Sequence, residues 1–395
     1  MSRQSRPEVN QPVTERPSIL RIITRLNVGG PARQAILLSK AMAQHGFDSE
    51  LVCGSEDERE GRVGTIGVKY TRIPSLKRSV DPLRDLRSLM TLRRLVRRRS
   101  PHIVHTHLAK AGALGRLAAS LAHVPAIVHT FHGHVLEGYF AQASNRTFLT
   151  VERQLARRSH ALIAVSTAVR DELLELGLGR PDQWRVIPVG LNLRPYLEET
   201  TSEEDPRELV GLPRDQVLVG LVGRLVPVKD VKTFLEAAAT VANRRRDVMF
   251  IVAGDGELRP SLEERAMKLL GNRIKFLGWV SNLAALYSAL DIVVLTSRHE
   301  GTPTALVEAA ASARPVVATR VGGVPEIVRD GLTGLLVRPG SPRYIADAVL
   351  SLLADPDRGR KMGVAARDWV RDRFTLERLS SDLAGLYSEL LARGG

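Results

Sequence analysis

Two glutamates, Glu300 and Glu308, lie eight residues apart where the apolar run DIVVLT (291–296) gives way to a helical pattern. If most of the interval is helical, a rise of ~1.5 Å per residue holds the two carboxylates roughly 10–12 Å apart. A retaining glycosidase keeps its pair about 5 Å apart, so these two cannot share one hydrolytic centre, and their spacing suits the two ends of a long ligand. Pro303 and Thr304 fit a first helical turn, whose free amides form an anion site. A solvated helix glutamate at 308 and a helix-start charge at 300 would use the same spacing.

A second set of groups suits phosphate. The run ILRIITR (19–25) leads through Asn27-Val28-Gly29-Gly30-Pro31 into a helix, so bare backbone amides and a helix N-terminus can face a diphosphate. The segment is not a full G-x-G-x-x-G, and two glycines also make a simple tight turn. The matching segment of the second half, VLVGLVGRLVPVKD, ends in Gly223, Arg224 and Lys229. Arginine offers a planar fork and lysine a compact charge, a pair able to stabilise a nucleotide leaving group without a metal ion. On an isolated solvated loop the same residues would mean little.

Imidazoles at His105, His107, His129, His132 and His134 raise the question of a metal, because imidazole is a common ligand. None has H-E-x-x-H spacing and no acidic residue completes a set; Asp255 and Glu257 in AGDGEL read as turn chemistry. No metal or cofactor is expected. Cys53 is the only cysteine, which rules out an internal disulfide and a Cys-based zinc site and favours a reducing cytoplasm.

These residues need a frame that brings them together. Short β-branched runs alternate with amphipathic helical stretches along the 395 residues, the pattern of βαβ units and parallel sheets. The expected fold is α/β, with two Rossmann-like domains whose parallel sheets face across a cleft. A polar tail (1–17) precedes an N-terminal domain (18–196), an acidic linker (197–207), a C-terminal domain (208–374) and a final amphipathic helix (375–395) expected to pack back toward the first domain. The strands of the first half are read at 19–25, 49–53, 68–73, 102–107, 126–131, 161–166 and 184–190. Those of the second are read at 216–223, 247–254, 273–278, 291–296, 315–319 and 334–337. Open parallel sheets bind ligands at the carboxyl ends of their strands, which puts the site between the halves.

The net charge of +14 is concentrated: Arg84, Arg87, Arg93, Arg94, Arg97, Arg98 and Arg99 crowd one helix, and Arg153, Arg157 and Arg158 another. Such clusters suit anionic lipid headgroups or a phosphorylated substrate, or form a solvated basic face. Nucleic acid is disfavoured, since aromatic residues make up 4% and none is interleaved with the arginines. No apolar run approaches membrane-spanning length.

Glu300 and Glu308 match the E-x7-E signature of retaining glycosyltransferases with the GT-B fold, and residues 19–390 resemble glycosyltransferase family 4. The resemblance rests on an ordered set: LNVGGPARQAILLSKAM, HTFHGHVLEGYF, IAVSTAVRDELLELG, VIPVGLN, VGRLVPVKD, AGDGELR, FLGWV and GGVPEIVRDGLTGLLV. It implies that Gly29 and Gly30 lie against the diphosphate of a nucleotide-sugar donor, with Arg224 and Lys229 clamping it from the second domain. Glu300 would meet the transferred sugar and Glu308 the ribose hydroxyls. The amides of Ala305 and Leu306 would face phosphate, the backbone at Val280 the base, and His132 the donor sugar. Thr302 and Pro303 depart from the commoner E-x-F-G pattern, which leaves open the sugar carried.

Relatives with similar openings and HGH loops act in surface-polysaccharide synthesis. The resemblance therefore implies a UDP- or GDP-hexose donor, a lipid-linked or saccharide acceptor, and a cytoplasmic protein held peripherally at the inner face of the cell membrane through its basic first domain. Two other readings remain at this stage. One is a nucleotide-sugar epimerase of the same fold. The other is a non-enzymatic polyanion-binding protein that exploits the basic surface.

Overall fold

The computed structural model describes residues 16–27, 29–55, 67–133, 142–198 and 205–394. Among them the chain builds two parallel sheets. The first has seven strands: β1 (Ser18–Ile23), β2 (Asp48–Cys53), β3 (Tyr70–Arg72), β4 (Ile103–His107), β5 (Ala126–Phe131), β6 (Ala161–Ala164) and β7 (Trp184–Val186), in the order β3-β2-β1-β4-β5-β6-β7. The second has six: β8 (Val217–Val222), β9 (Val248–Ala253), β10 (Ile274–Gly278), β11 (Ile292–Leu295), β12 (Val316–Thr319) and β13 (Leu335–Val337), in the order β10-β9-β8-β11-β12-β13. In both, the order reverses beside the first strand of the half, and the crevice there is where open α/β sheets take ligands.

The strands form because Val, Ile and Leu pack well on a pleat covered on both faces, most plainly in β8, β9, β11 and β12, whose runs are apolar almost throughout. Leu218, Val219 and Leu221 of β8 and Val293 and Val294 of β11 are buried on opposite sides of one sheet. The helices begin at turn chemistry: Asp81 accepts from the Arg84 amide at 3.0 Å, Ser166 from the Val169 amide at 3.2 Å, and Asn282 from the Ala285 amide at 3.0 Å. The first helix runs Gly30–Ala41 and tightens into a 3₁₀ turn, Met42–His45. Helical turns at Arg194–Leu197 and Pro206–Leu209 flank the acidic stretch, whose residues 199–204 lie outside the described residues.

The last helix, Leu376–Gly394, covers the first sheet. Leu379, Leu383 and Tyr387 are buried against Ile19, Ile103, Val128 and Ile163. The helix therefore leaves the second half and completes the core of the first.

Candidate active site

A cleft enclosing about 330 Å³ lies between the two sheets at the carboxyl ends of their strands. Gly29, Gly30 and His132 line it from the first half. Gly223, Arg224, Lys229, Val280, Glu300, Ala305 and Glu308 line it from the second. The glycine turn after β1 comes so close to the opposite half that a Cβ on Gly30 would stand 3.2 Å from the methyl carbon of Thr304. At the end of β8, Gly223 meets Gly254, where a Cβ would fall 2.0 Å from the Gly223 carbonyl oxygen. Only glycine permits that approach, and it keeps the floor of the cleft open.

Arg224 projects from the end of β8 with no hydrogen bond from its side chain to protein among the described residues, so its fork is available to an anion. Lys229 is engaged: its ammonium meets Glu300 Oε1 at 2.5 Å, and the Ser297 hydroxyl donates to the same oxygen at 2.6 Å. Glu300 is thus held by two donors in the segment between β11 and the helix Thr304–Ala311, with its other oxygen left for a ligand hydroxyl. Glu308, one helix length away in Thr304–Ala311, is buried. It accepts from the Tyr287 hydroxyl at 3.0 Å and from Arg33 of the first half at 3.4 Å. Burial raises its pKa, against the opposing pull of Arg33 and the hydroxyls of Tyr287 and Tyr196.

The loop carrying Glu300 also ties the halves together. Thr302 donates to the Val165 carbonyl at 2.6 Å and His299 lies 3.2 Å from Glu172, and from the separate helical turn Val324–Ile327 Glu326 accepts from the amides of Thr167 and Ala168 at 2.7 and 3.3 Å. The unusual threonine at 302 is therefore committed to the opposite half. Arg33, Ser297, Tyr196 and Tyr287 are not singled out by the sequence. Arg33 follows the glycine turn by three residues, a spacing that marks the first helical turn, whereas the tyrosines are brought to Glu308 only by tertiary packing.

Leu306 is not among the lining residues: its side chain is fully buried and its amide donates to the Pro303 carbonyl at 3.1 Å. The histidines do not gather as metal ligands. His105 and His107 face Arg21, and His129 accepts from or donates to Thr106 at 2.8 Å. His134 lies outside the described residues. Among the described residues no three His, Cys, Asp or Glu side chains are placed around a common point. Asp255 is paired with Arg259 at 2.7 Å.

Residues 216–355 match the family described as "Glycosyl transferases group 1", and residues 29–190 match "Glycosyl transferase 4-like domain". An alpha-D-kanosaminyltransferase from Streptomyces kanamyceticus is 30% identical over 75% of this chain and 80% of its own length. The chain is a GT-B glycosyltransferase of the family 4 type. An Escherichia coli UDP-Gal:alpha-D-GlcNAc-diphosphoundecaprenol alpha-1,3-galactosyltransferase is 29% identical over 78% of this glycosyltransferase and 81% of that enzyme. Among solved structures, Anabaena Alr3699/HepE in complex with UDP and glucose superposes with a TM-score of 0.79 at 24% identity, over 94% of this chain and all of that one. That likeness carries the two-domain fold to this glycosyltransferase.

Proposed function

We propose that this glycosyltransferase moves a hexose-type sugar from a UDP- or GDP-sugar to a lipid-linked or saccharide acceptor, with retention of anomeric configuration and without a metal ion, in surface-polysaccharide or glycolipid synthesis. The observation that carries the reading is the opposition, across one cleft, of the Gly29-Gly30 turn and the Arg224/Lys229 pair, with Glu300 and Glu308 on either side of a helix N-terminus. The amides and cations suit the donor diphosphate, Glu308 the ribose hydroxyls, Glu300 and His132 the sugar, and Val280 the base.

In this reaction the acceptor oxygen forms a bond to the anomeric carbon on the face from which the diphosphate leaves. The bond from that carbon to the diphosphate oxygen breaks, and the departing oxygen takes the acceptor's proton. Arg224 and Lys229 offset the charge that develops on the leaving group. Lys229 pairs with Glu300 and lines the same cleft as Arg224.

A lipid-linked acceptor is favoured by the printed acceptor of the E. coli relative and by the helix Pro82–Arg99. Its solvent face combines exposed Leu83, Leu86 and Met90 with Arg87, Arg94 and Arg97, all within one stripe of the helical wheel. Such a face suits an anionic membrane surface. No helix among the described residues is long and apolar enough to cross a membrane.

The test is a thermal-shift and slow-hydrolysis screen of UDP-, GDP-, ADP- and CMP-sugars, with Arg224→Ala as control. One donor that stabilises the wild type but not the variant, and is slowly split, supports the reading. Absence of any response, or an inverted anomer in the product, sinks it.

A further inference from the structure

Behind the cleft wall a cation is buried without a carboxylate. Arg21 lies in the middle of β1, opposite His105 of β4, and is fully buried under the C-terminal helix. Among the described residues its partners are neutral: its guanidinium meets His105 Nδ1 at 3.0 Å and His107 Nε2 at 3.3 Å, and donates to the Tyr387 hydroxyl at 3.4 Å. Leucine or methionine would fill this space at less cost, because a buried charge loses its hydration. Arg21 has one property that they lack: a guanidinium can only donate hydrogen bonds.

That property fixes the protons of its neighbours in sequence. His107 Nε2 receives an Arg21 N–H, so that nitrogen holds the lone pair and the proton of the neutral ring sits on Nδ1. His107 Nδ1 lies 3.0 Å from His132 Nε2, and therefore donates to it. His132 Nε2 is then the acceptor, and the His132 proton sits on Nδ1. His105 is fixed in parallel, with Nδ1 accepting from Tyr387 or Arg21 and Nε2 donating to Thr130 Oγ1 at 2.7 Å. The rings of His105 and His107 stack with centroids 4.4 Å apart, which leaves little freedom to flip.

We infer that Arg21, held from the C-terminal helix by Tyr387, is a positioning residue that sets His132 in its Nδ1–H tautomer through His107, so that the cleft meets a neutral hydrogen-bond donor with no basic lone pair. His132 lines the cleft, and among the described residues its Nδ1 makes no hydrogen bond to protein. Burial holds its pKa down to about 4, and burial first and Arg21 second hold His105 well below the usual imidazole range. The consequence for the reaction rests on the function proposed above: His132 orients a sugar hydroxyl or ring oxygen by donating to it, and it does not deprotonate the acceptor, a step left to the departing diphosphate oxygen.

The state of the ring nitrogens is directly observable. In apo protein labelled with ¹⁵N-histidine, long-range proton–nitrogen correlation spectra read which nitrogen of each ring is protonated, and His132→Gln identifies the resonance. The expected wild-type spectrum shows His107 and His132 protonated at Nδ1, and Arg21→Met moves His132 wholly or partly to Nε2–H. A wild-type His132 protonated at Nε2, or a tautomer unaltered in a folded Arg21→Met, overturns the inference. Tyr387→Phe, which keeps the ring in the core, replaces Arg21→Met if the latter does not fold, and the same shift is expected in smaller measure.

A kinetic arm separates positioning from packing. His107→Asn can place an amide N–H where Nδ1–H stands, and His107→Leu cannot. The His107→Leu variant should lower kcat about 10-fold with donor KM within about twofold, and the His107→Asn variant should recover to within about threefold of wild type. A role in packing alone gives the opposite order, since leucine suits the interior better than an amide. If wild type splits no nucleotide-sugar, the transferase reading fails, while the tautomer spectra still decide the part played by Arg21.

Discussion

The two halves share a sheet plan but bury polar groups in different places. In the second half one group of buried polar side chains, Thr296, Ser297, Glu300, Glu308 and Thr319, follows the strands toward the cleft, above a core of Val, Leu and Ala. In the first half they lie within and behind the sheet, with Arg21, His105, His107 and His129 on its strands and the Arg116–Glu152 pair between helices. The second half therefore mounts its cleft residues on a dry base, with Arg224 without a side-chain partner among the described residues and Lys229 and Glu308 already paired. The first half encloses charge, where losing one partner leaves another stranded in low dielectric.

The largest effect should come from breaking the enclosed pair. Arg116 and Glu152 meet at 2.5 Å and are both essentially buried. Arg116→Met leaves Glu152 uncompensated and should cost ~3–5 kcal/mol of stability, visible in denaturant melts, while Arg116→Met with Glu152→Leu should recover most of it. The ion pair across the cleft in the other half, Lys229–Glu300, should behave in the opposite way. Lys229→Met should change stability little and turnover greatly, and equal stability losses in the two halves would break the comparison.

Next in size are Arg224, without a side-chain partner among the described residues, and Glu300, which the proposed function sets against the sugar. Arg224→Ala should lower kcat/KM about 100-fold, with weaker donor binding and slower turnover together, because the fork serves both ground state and leaving group. Glu300→Gln should lower kcat by more than it raises the donor Kd, as measured by single-turnover rates and calorimetry. A Glu300→Gln variant that binds donor as poorly as Arg224→Ala would move Glu300 from the reaction centre to the grip on the donor.

Much of this division is legible in the sequence. All thirteen strands lie near the positions that the apolar runs predict, since a parallel sheet covered on both faces writes itself as β-branched runs between helical stretches. Gly29, Gly30, His132, Gly223, Arg224 and Val280 lie shortly after such runs, and strand order then decides what meets what, whereas Glu308 lies within the helix beyond its strand. Arg21 is not, because an arginine inside ILRIITR gives no sign that two histidines and a tyrosine 366 residues away surround it. Nor is the 302 hydroxyl's bond to Val165, which depends on how the two halves approach.

Glu308 makes a finer test, because binding and stability should move in opposite directions. Its pKa is raised by burial, so between the ordinary glutamate value and the raised one the folded protein holds more protons than the unfolded chain. Stability therefore falls as pH rises through that window, and above it the ionised carboxylate is a standing cost. Glu308→Gln should raise the apo melting temperature while weakening donor binding about 10-fold. Donor binding in the wild type should be lost on the acid side at a pH above the usual glutamate range, and that limb should vanish in Glu308→Gln. A variant that loses both stability and affinity would mean that Arg33 and the two tyrosines outweigh desolvation.

The smallest effect expected on the chemistry is at the far face of the first half. Leu83, Leu86 and Met90 are exposed beside Arg87, Arg94 and Arg97, and each apolar side chain adds only about 1.5–3 kcal/mol even when fully buried. Leu83→Glu with Leu86→Glu should leave hydrolysis of a soluble donor within about twofold of wild type, since neither residue lines the cleft. The same variant should reduce co-sedimentation with vesicles rich in anionic phospholipid, and Arg94→Glu with Arg97→Glu should reduce it further at low salt than at high salt. Equal binding of all three proteins would make this face solvated surface, and the contrast between the two halves would then rest on their buried polar groups alone.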